Sequence, residues 1–219
     1  MIKNIIFDFD GVIVDSEMLV ARSFSKYLLS KNINFTEKNF SAYAGKKTVQ
    51  VIDELSNKFN IPDKKEFYED IMNIANNIYS QELMPIVGVK DFINKNYYNF
   101  FIGSNSIKKR ILLGLKKVKF DKFFDENKIF SFDMVEEPKP HPDVYLAAIK
   151  THNLNKEETL IIEDSSVGVV AGVAAGVKVF GLTAGGHWHK ERSTKELSDA
   201  GAHIVVNSYE SLLEEIVNL

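Results

Sequence analysis

The chain has 219 residues, 45% of them hydrophobic and 26% charged, with a formal net charge of −3. That balance is ordinary for a globular chain and gives no electrostatic argument for nucleic acid or an anionic membrane surface. Cysteine is absent, which excludes disulfides, a thiolate nucleophile and a cysteine-based zinc site.

No apolar run approaches the roughly 18 residues of a membrane span, and the N-terminus lacks the basic and apolar regions of a signal peptide. The expectation is a cytoplasmic protein, with a monomer as the default state. The length suits one domain carrying a large insertion, or two small domains.

In chain order, the first element is a strand. Ile5, Ile6 and Phe7 lead into Asp8, Phe9, Asp10 and Gly11, and Asp15 follows Val12, Ile13 and Val14. Carboxylates at the end of an apolar strand are costly to bury unless something compensates their charge. After Asp15 the periodicity becomes helical. Ser16 is a candidate N-cap, and Val20, Phe24 and Leu28 recur at helical spacing. Two further stripes follow, Val49, Ile52, Leu55 and Phe59, then Phe67, Ile71, Ile74 and Ile78. Residues 16–84 contain no convincing strand and read as an all-helical insertion.

Pro85 and Gly88 end that unit, and strand then alternates with helix. Strands are predicted at 99–104, 128–132, 159–164, 177–182 and 203–206. Helices are predicted at 89–96, 106–117, 142–152, 166–175, 191–200 and 209–217. Short apolar strands alternating with helices predict a doubly wound parallel sheet of Rossmann-like type, built from residues 1–15 and 85–219. In such sheets ligands bind beyond the carboxyl ends of the strands, near the point where strand order reverses. Three of the predicted strands end in polar groups: Asp8 and Asp10, then Ser104-Asn105-Ser106, then Glu163-Asp164-Ser165.

Asp8, Asp10, Glu163 and Asp164 would therefore meet at one rim. Their mutual repulsion calls for a hard divalent cation, and Mg²⁺ fits best because it accepts carboxylates, keeps waters and receives phosphate oxygens. No His or Cys accompanies the set, which disfavours zinc. Taken singly, "DFDG" and "EDSS" are also ordinary turn and helix-capping sequences. Their joint occurrence at strand ends favours a site. Ser104, Asn105 and Ser106 precede a predicted helix whose N-terminal amides suit an anion. Lys139 lies between Pro138 and Pro140, with Pro142 beyond, a rigid setting that fixes where its ammonium points.

These motifs carry a resemblance. "DFDGVIVDS", "SNS", "KPHPD" and "EDS" occur in the order and approximate spacing of the four motifs of the haloacid dehalogenase superfamily, and residues 16–84 resemble its helical cap. The similarity spans essentially the whole chain, and the nearest branch is that of the β-phosphoglucomutase-like proteins and sugar-phosphate phosphatases. It implies that Asp8 is the nucleophile that becomes an aspartyl-phosphate and that Asp10 is the general acid–base. It also implies Mg²⁺ held by Asp8, the main-chain carbonyl of Asp10 and Asp164, with Glu163 assisting. Ser104, Asn105 and Lys139 would hold the transferring phosphoryl group.

Within that superfamily the second acid, Asp10, favours phosphate esters over carbon–halogen bonds, because halide leaves without a proton. The mutases resembled here carry a His five residues after the Asp matching Asp15, where this chain has Val20. They also carry an Arg early in the cap, where this chain has "AGKKTVQ" (44–50). The expectation is a hydrolase of a small phosphomonoester such as a sugar phosphate, with a phosphosugar mutase as the alternative. A phospho-accepting receiver domain would lack the helical insertion, and an idle binding protein would not need the full motif set. Substrate choice is expected from Lys46, Lys47, Ser16 and Glu17 in the insertion. The glycines of "GVVAGVAAGV" (168–177) read as close helix-on-sheet packing, with Gly176 ending the helix. His187, Trp188 and His189 read as a loop at the surface or site rim, and His141 as incidental.

Overall fold

The computed structural model describes every residue except 44–47, 96, 190 and 191. It divides into two compact units, Met1–Asp15 with Met84–Leu219, and Ser16–Leu83.

The first unit is built on β1 (Asn4–Phe7), β2 (Asn99–Ser104), β3 (Ile129–Ser131), β4 (Thr159–Glu163), β5 (Lys178–Leu182) and β6 (Ile204–Val206). They form one six-stranded sheet in the order β3-β2-β1-β4-β5-β6. Every pairing is parallel. Both faces of the sheet are covered, which is why its strands read as continuous apolar runs instead of alternating ones. Ile6, Phe101, Ile161 and Val179 pack under α7 (Asp143–His152) and α8 (Ser166–Ala174), and Leu197 of α9 (Lys195–Asp199) joins the same cluster. On the opposite face Phe7 stacks on Phe100 at 5.6 Å. Phe92 of α5 (Val89–Lys95) meets Tyr209 of α10 (Tyr209–Val217) there at 5.3 Å.

Chain direction across the sheet reverses between β1 and β4. From β1 the chain steps outward through β2 to β3, then returns to the far side of β1 and steps outward again. A crevice forms at such a reversal, because the flanking connections leave toward opposite edges.

The helical unit contains α1 (Glu17–Ser30), α2 (Glu37–Phe40), α3 (Thr48–Phe59) and α4 (Lys64–Glu82). Phe24, Leu28, Ile52, Leu55, Phe67 and Ile71 form its core, with Tyr27 stacked on Phe67 at 4.5 Å. Val49 is 59% exposed, unlike the other members of its predicted stripe, and Val51 is buried in its place. The helix begins at Thr48, so its inward face is carried by positions 51, 52 and 55. Asp63 caps α4 by accepting from the Lys65 and Glu66 amides, both at 2.9 Å. Arg22 of α1 pairs with both Glu37 and Glu82, tying three helical segments together. Ser16 stands at the N-cap of α1 and is buried, but its side chain makes no capping hydrogen bond.

The two chain segments at the unit boundary are paired with each other. The Asp15 amide donates to the Met84 carbonyl at 2.9 Å, and the Ile86 amide to Ile13 at 3.0 Å. Met84 therefore belongs with the sheet unit. Elsewhere, α6 (Lys108–Lys117) starts later than the sequence predicts, because Ser106 is drawn into side-chain contacts before it. Gly176, at φ +73°, closes α8 with a Schellman pair of hydrogen bonds, Gly176 to Val173 and Val177 to Gly172.

Candidate active site

Asp8 follows β1 directly, and its amide extends the sheet pairing by donating to Ile162 at 2.9 Å. Glu163 is the last residue of β4, and Asp164 follows it. The reversal between β1 and β4 thus brings three carboxyl groups together, with one oxygen from each of Asp8, Glu163 and Asp164 within 4.8 Å of the others. All three side chains are buried.

Among the described residues, Lys139 brings a cation into this cluster. Lys139 Nζ donates to Asp8 Oδ1 at 2.7 Å and to Glu163 Oε1 at 2.6 Å, and it is itself only 6% exposed. The loop that delivers it is fixed by Asn105. The Lys139 amide donates to Asn105 Oδ1 at 2.9 Å, and Asn105 Nδ2 donates to the Lys139 carbonyl at 3.1 Å. The resemblance implies that Asn105 binds phosphoryl oxygens, and its side-chain amide is engaged at both ends with the Lys139 backbone.

Glu163 is surrounded by donors. Its Oε1 accepts from Lys139 and from the Tyr145 hydroxyl at 2.6 Å. Its Oε2 accepts from the Asp164 amide, the Ser165 amide and the Ser165 hydroxyl. Space for it comes from Gly168, where an added Cβ would lie 1.8 Å from Glu163 Oε1. Tyr145 also places its ring 4.8 Å from Lys139 Nζ. Tyr145 was not singled out in the sequence. α7 carries Tyr145 onto the sheet face beneath Lys139, a contact that local spacing does not announce.

Asp10 sits on the turn after Asp8, where Gly11 adopts φ +78° and the Gly11 amide donates to Val14 at 2.8 Å. The Ser106 hydroxyl donates to Asp10 Oδ2 at 2.5 Å, and Arg110 Nη2 lies 3.6 Å from Asp10 Oδ1. Ser104 is buried at the end of β2, and its hydroxyl oxygen accepts from the Ser106 amide at 3.1 Å. Arg110 escaped the sequence reading, although it lies one helical turn beyond Ser106. The Tyr209 hydroxyl donates to the Val12 carbonyl at 2.8 Å and so braces the same turn from α10.

The electrostatics are those of a site short of positive charge. Burial pushes the Asp8 carboxyl well above its ordinary range. Lys139 opposes that shift, while Glu163, Asp164 and Asp10 reinforce it. Burial also works against the charge on Lys139, but Asp8 and Glu163 outweigh it and raise the lysine's pKa. Among the described residues three buried carboxylates face one ammonium, so this set carries an excess of two negative charges when ionised. A divalent cation restores neutrality, and an all-oxygen donor set suits Mg²⁺. Asp8 and Asp164 are the better-placed carboxylates to take it, since Glu163 is already occupied by donors on both oxygens.

His187 also reaches this region, its Nε2 lying 3.1 Å from Asp164 Oδ2. His141 stays exposed. Lys46 and Lys47 lie outside the described residues, and Ser16 belongs to the helical unit. Among the described residues, no helix is long and apolar enough to cross a membrane.

The chain is 26% identical over 222 residues to the phosphorylated carbohydrates phosphatase of Thermotoga maritima, covering 99% of this chain and 97% of that protein. It is 26% identical over 188 residues to the 6-phosphogluconate phosphatase of Escherichia coli, covering 85% of each. The crystal structure of a HAD family hydrolase from Deinococcus radiodurans, with bound phosphate and sodium, superposes with a TM-score of 0.86 at 26% identity. That match covers 99% of this chain and 96% of the other. The family described as haloacid dehalogenase-like hydrolase matches residues 5–182, which include Asp8, Ser104, Lys139 and Asp164, and the chain belongs to it.

Proposed function

We propose that this chain is a Mg²⁺-dependent phosphomonoester hydrolase acting on a small phosphorylated metabolite, in particular a sugar phosphate, through an aspartyl-phosphate on Asp8. The observation that carries the reading is Lys139 bridging Asp8 and Glu163 in a buried acidic cluster at the sheet's reversal point. The names of the Thermotoga and Escherichia relatives support the substrate class.

Asp8, the main-chain carbonyl of Asp10 and Asp164 would hold the metal. Bound there, Mg²⁺ supplies charge neutralisation to a phosphate that is otherwise repelled by the carboxylates. An oxygen of Asp8 attacks phosphorus, forming the acyl-phosphate bond as the ester P–O bond breaks. Asp10 gives its proton to the departing alkoxide, since an alkoxide is too basic to leave bare. Asp10 then takes a proton from the water that attacks the phosphorylated Asp8, releasing inorganic phosphate and restoring the carboxylate. Lys139 and the Ser104 hydroxyl bind phosphoryl oxygens, while Asn105 acts by holding the Lys139 loop.

Glu163 serves as the anchor of Lys139. Residues 16–83 would act as a cap that selects the substrate, with Lys46, Lys47 and Ser16 as its candidate contacts. Val20 stands where the mutases resembled here carry a histidine, which supports hydrolysis over transfer back to a sugar.

Phosphate release from a panel of sugar phosphates, phosphoglycolate and p-nitrophenyl phosphate tests the reading. Turnover should require Mg²⁺ and disappear in Asp8→Asn. Full-rate turnover by Asp8→Asn would end it.

A further inference from the structure

The loop after β5 sends one side chain into the acidic cluster for which the reaction above has no use. His187 Nε2 lies 3.1 Å from Asp164 Oδ2, with side-chain exposures of 13% and 6%. A carboxylate oxygen can only accept, so the two atoms attract at this distance when Nε2 is the protonated ring nitrogen.

The surroundings are shaped around the pair. A Cβ on Gly11 would fall 1.7 Å from Asp164 Oδ2 and 3.1 Å from His187 Cε1. A Cβ on Gly185 would fall 2.8 Å from both His187 Cε1 and Nδ1. Two glycines on separate loops thus keep open the volume that the two side chains fill.

The loop itself is pinned. The Trp188 amide donates to the Gly185 carbonyl at 3.0 Å. The Gly186 amide donates to Asp15 Oδ1 at 3.2 Å, joining this loop to the one that carries Asp8 and Asp10. Just beyond, Arg192 stacks over the Trp188 ring at 3.8 Å.

We propose that His187 is a positioning residue for Asp164. With Nε2 3.1 Å from Oδ2, the ring restrains the rotation of the carboxyl group in which Asp164 would meet the cation. The terminal torsion of an aspartate is soft, so an unbraced carboxylate samples a wide range of orientations. Hydrogen-bond partners of metal ligands remove that freedom, and their loss typically weakens metal binding about 10–100-fold. The inference rests on Asp164 being a ligand, as proposed above.

The test is Mg²⁺ titration by isothermal calorimetry on the full chain, comparing wild type, His187→Ala and His187→Gln. Thermal unfolding without metal is measured alongside. Gln is the informative variant because its side-chain amide can place an N–H close to where Nε2 stood. His187→Ala should weaken Mg²⁺ binding about 10–100-fold, and His187→Gln should recover much of that loss. Unchanged affinity in His187→Ala would overturn the proposal, as would an equal loss of affinity in both variants. So would an equal loss of metal-free stability in both variants with affinity intact, since His187 would then be a packing residue. If wild type itself bound no Mg²⁺, the active-site reading would fall together with this one. Wild-type binding with an indifferent His187→Ala would remove this inference alone.

Discussion

Lys139 Nζ stands between Asp8 Oδ1, 2.7 Å away, and Glu163 Oε1, 2.6 Å away, with all three side chains buried. The pairing has both a structural and a catalytic consequence. Removing one partner of a buried ionic cluster leaves charge unbalanced, a change that typically costs about 3–5 kcal/mol. Lys139 is proposed to be a preorganised electrostatic donor, and removing one such donor typically lowers the rate about 10²–10³-fold. Lys139→Ala should therefore lose both stability in urea and kcat/KM. Lys139→Arg should not restore the rate, because the planar guanidinium fork cannot occupy the position of a compact ammonium. Urea unfolding and steady-state kinetics on the two variants check this.

Asp8 and Asp10 are separated by a single residue but should fail differently. Asp8→Asn removes the proposed nucleophile and one carboxylate of the acidic cluster, so both phosphate release and Mg²⁺ binding should drop. Asp10 is proposed to offer the metal only its main-chain carbonyl, and its side chain is already held by Ser106 and Arg110. Asp10→Asn should keep Mg²⁺ affinity within a few-fold while kcat falls about 10²–10⁴-fold, the range of a lost general acid. Calorimetry and turnover measured on the same preparations separate the two outcomes. Equal loss of Mg²⁺ affinity in both variants would contradict the division of roles.

Gly168 and Gly172 lie one turn apart on α8 and meet different neighbours. A Cβ at Gly172 would lie 2.6 Å from Val179 Cγ2 and 3.1 Å from Ile161 Cδ1, in the apolar seam between helix and sheet. A Cβ at Gly168 would lie 1.8 Å from Glu163 Oε1, the oxygen that holds Lys139. Gly172→Ala should behave as core overpacking, costing about 1–3 kcal/mol with kcat little changed. Gly168→Ala should displace Glu163 and reduce kcat at least tenfold. Comparable kcat losses in the two variants, measured beside their unfolding midpoints, would refute the assignment of Gly168 to the site.

That pair shows how far the sequence could be read. The glycine run was legible as helix-on-sheet packing because its small residues recur at helical spacing. The separate duty of Gly168 was not, since it depends on which strand-end side chain lies beneath it. The sheet was legible throughout, because a strand buried on both faces is apolar at every position, as in Ile5, Ile6 and Phe7. Asp8, Asp164 and Lys139 were legible from their placement at strand ends and between prolines. Tyr145 and Arg110 were not, and His187 was legible only as part of a loop at the surface or site rim. Each reaches the site across the fold, from α7, α6 and the loop after β5, and no local spacing announces such a contact. Asn105 was legible as polar and near the site, but its partner is the Lys139 backbone.

Tyr145 gives the most graded test of how tightly Lys139 must be held. Its hydroxyl donates to Glu163 Oε1 at 2.6 Å, its ring lies 4.8 Å from Lys139 Nζ, and an added Cβ on Gly103 would touch that ring at 2.9 Å. Burial, followed by the nearby Glu163 and Asp8 carboxylates, drives the phenol pKa well above its ordinary value, so it acts as a permanent donor. Tyr145→Phe keeps the ring and deletes one charge-assisted hydrogen bond, about 1.5–3 kcal/mol of stability. Tyr145→Leu deletes the ring face as well, adding the loss of a desolvated cation–π contact of about 2 kcal/mol and a cavity. The rate should fall in the order wild type, Tyr145→Phe, Tyr145→Leu, with most of the change in kcat, because Lys139 would be loosened and not removed. If Tyr145→Phe matched wild type in kcat and in urea midpoint, Glu163 would be holding Lys139 without help from the phenol.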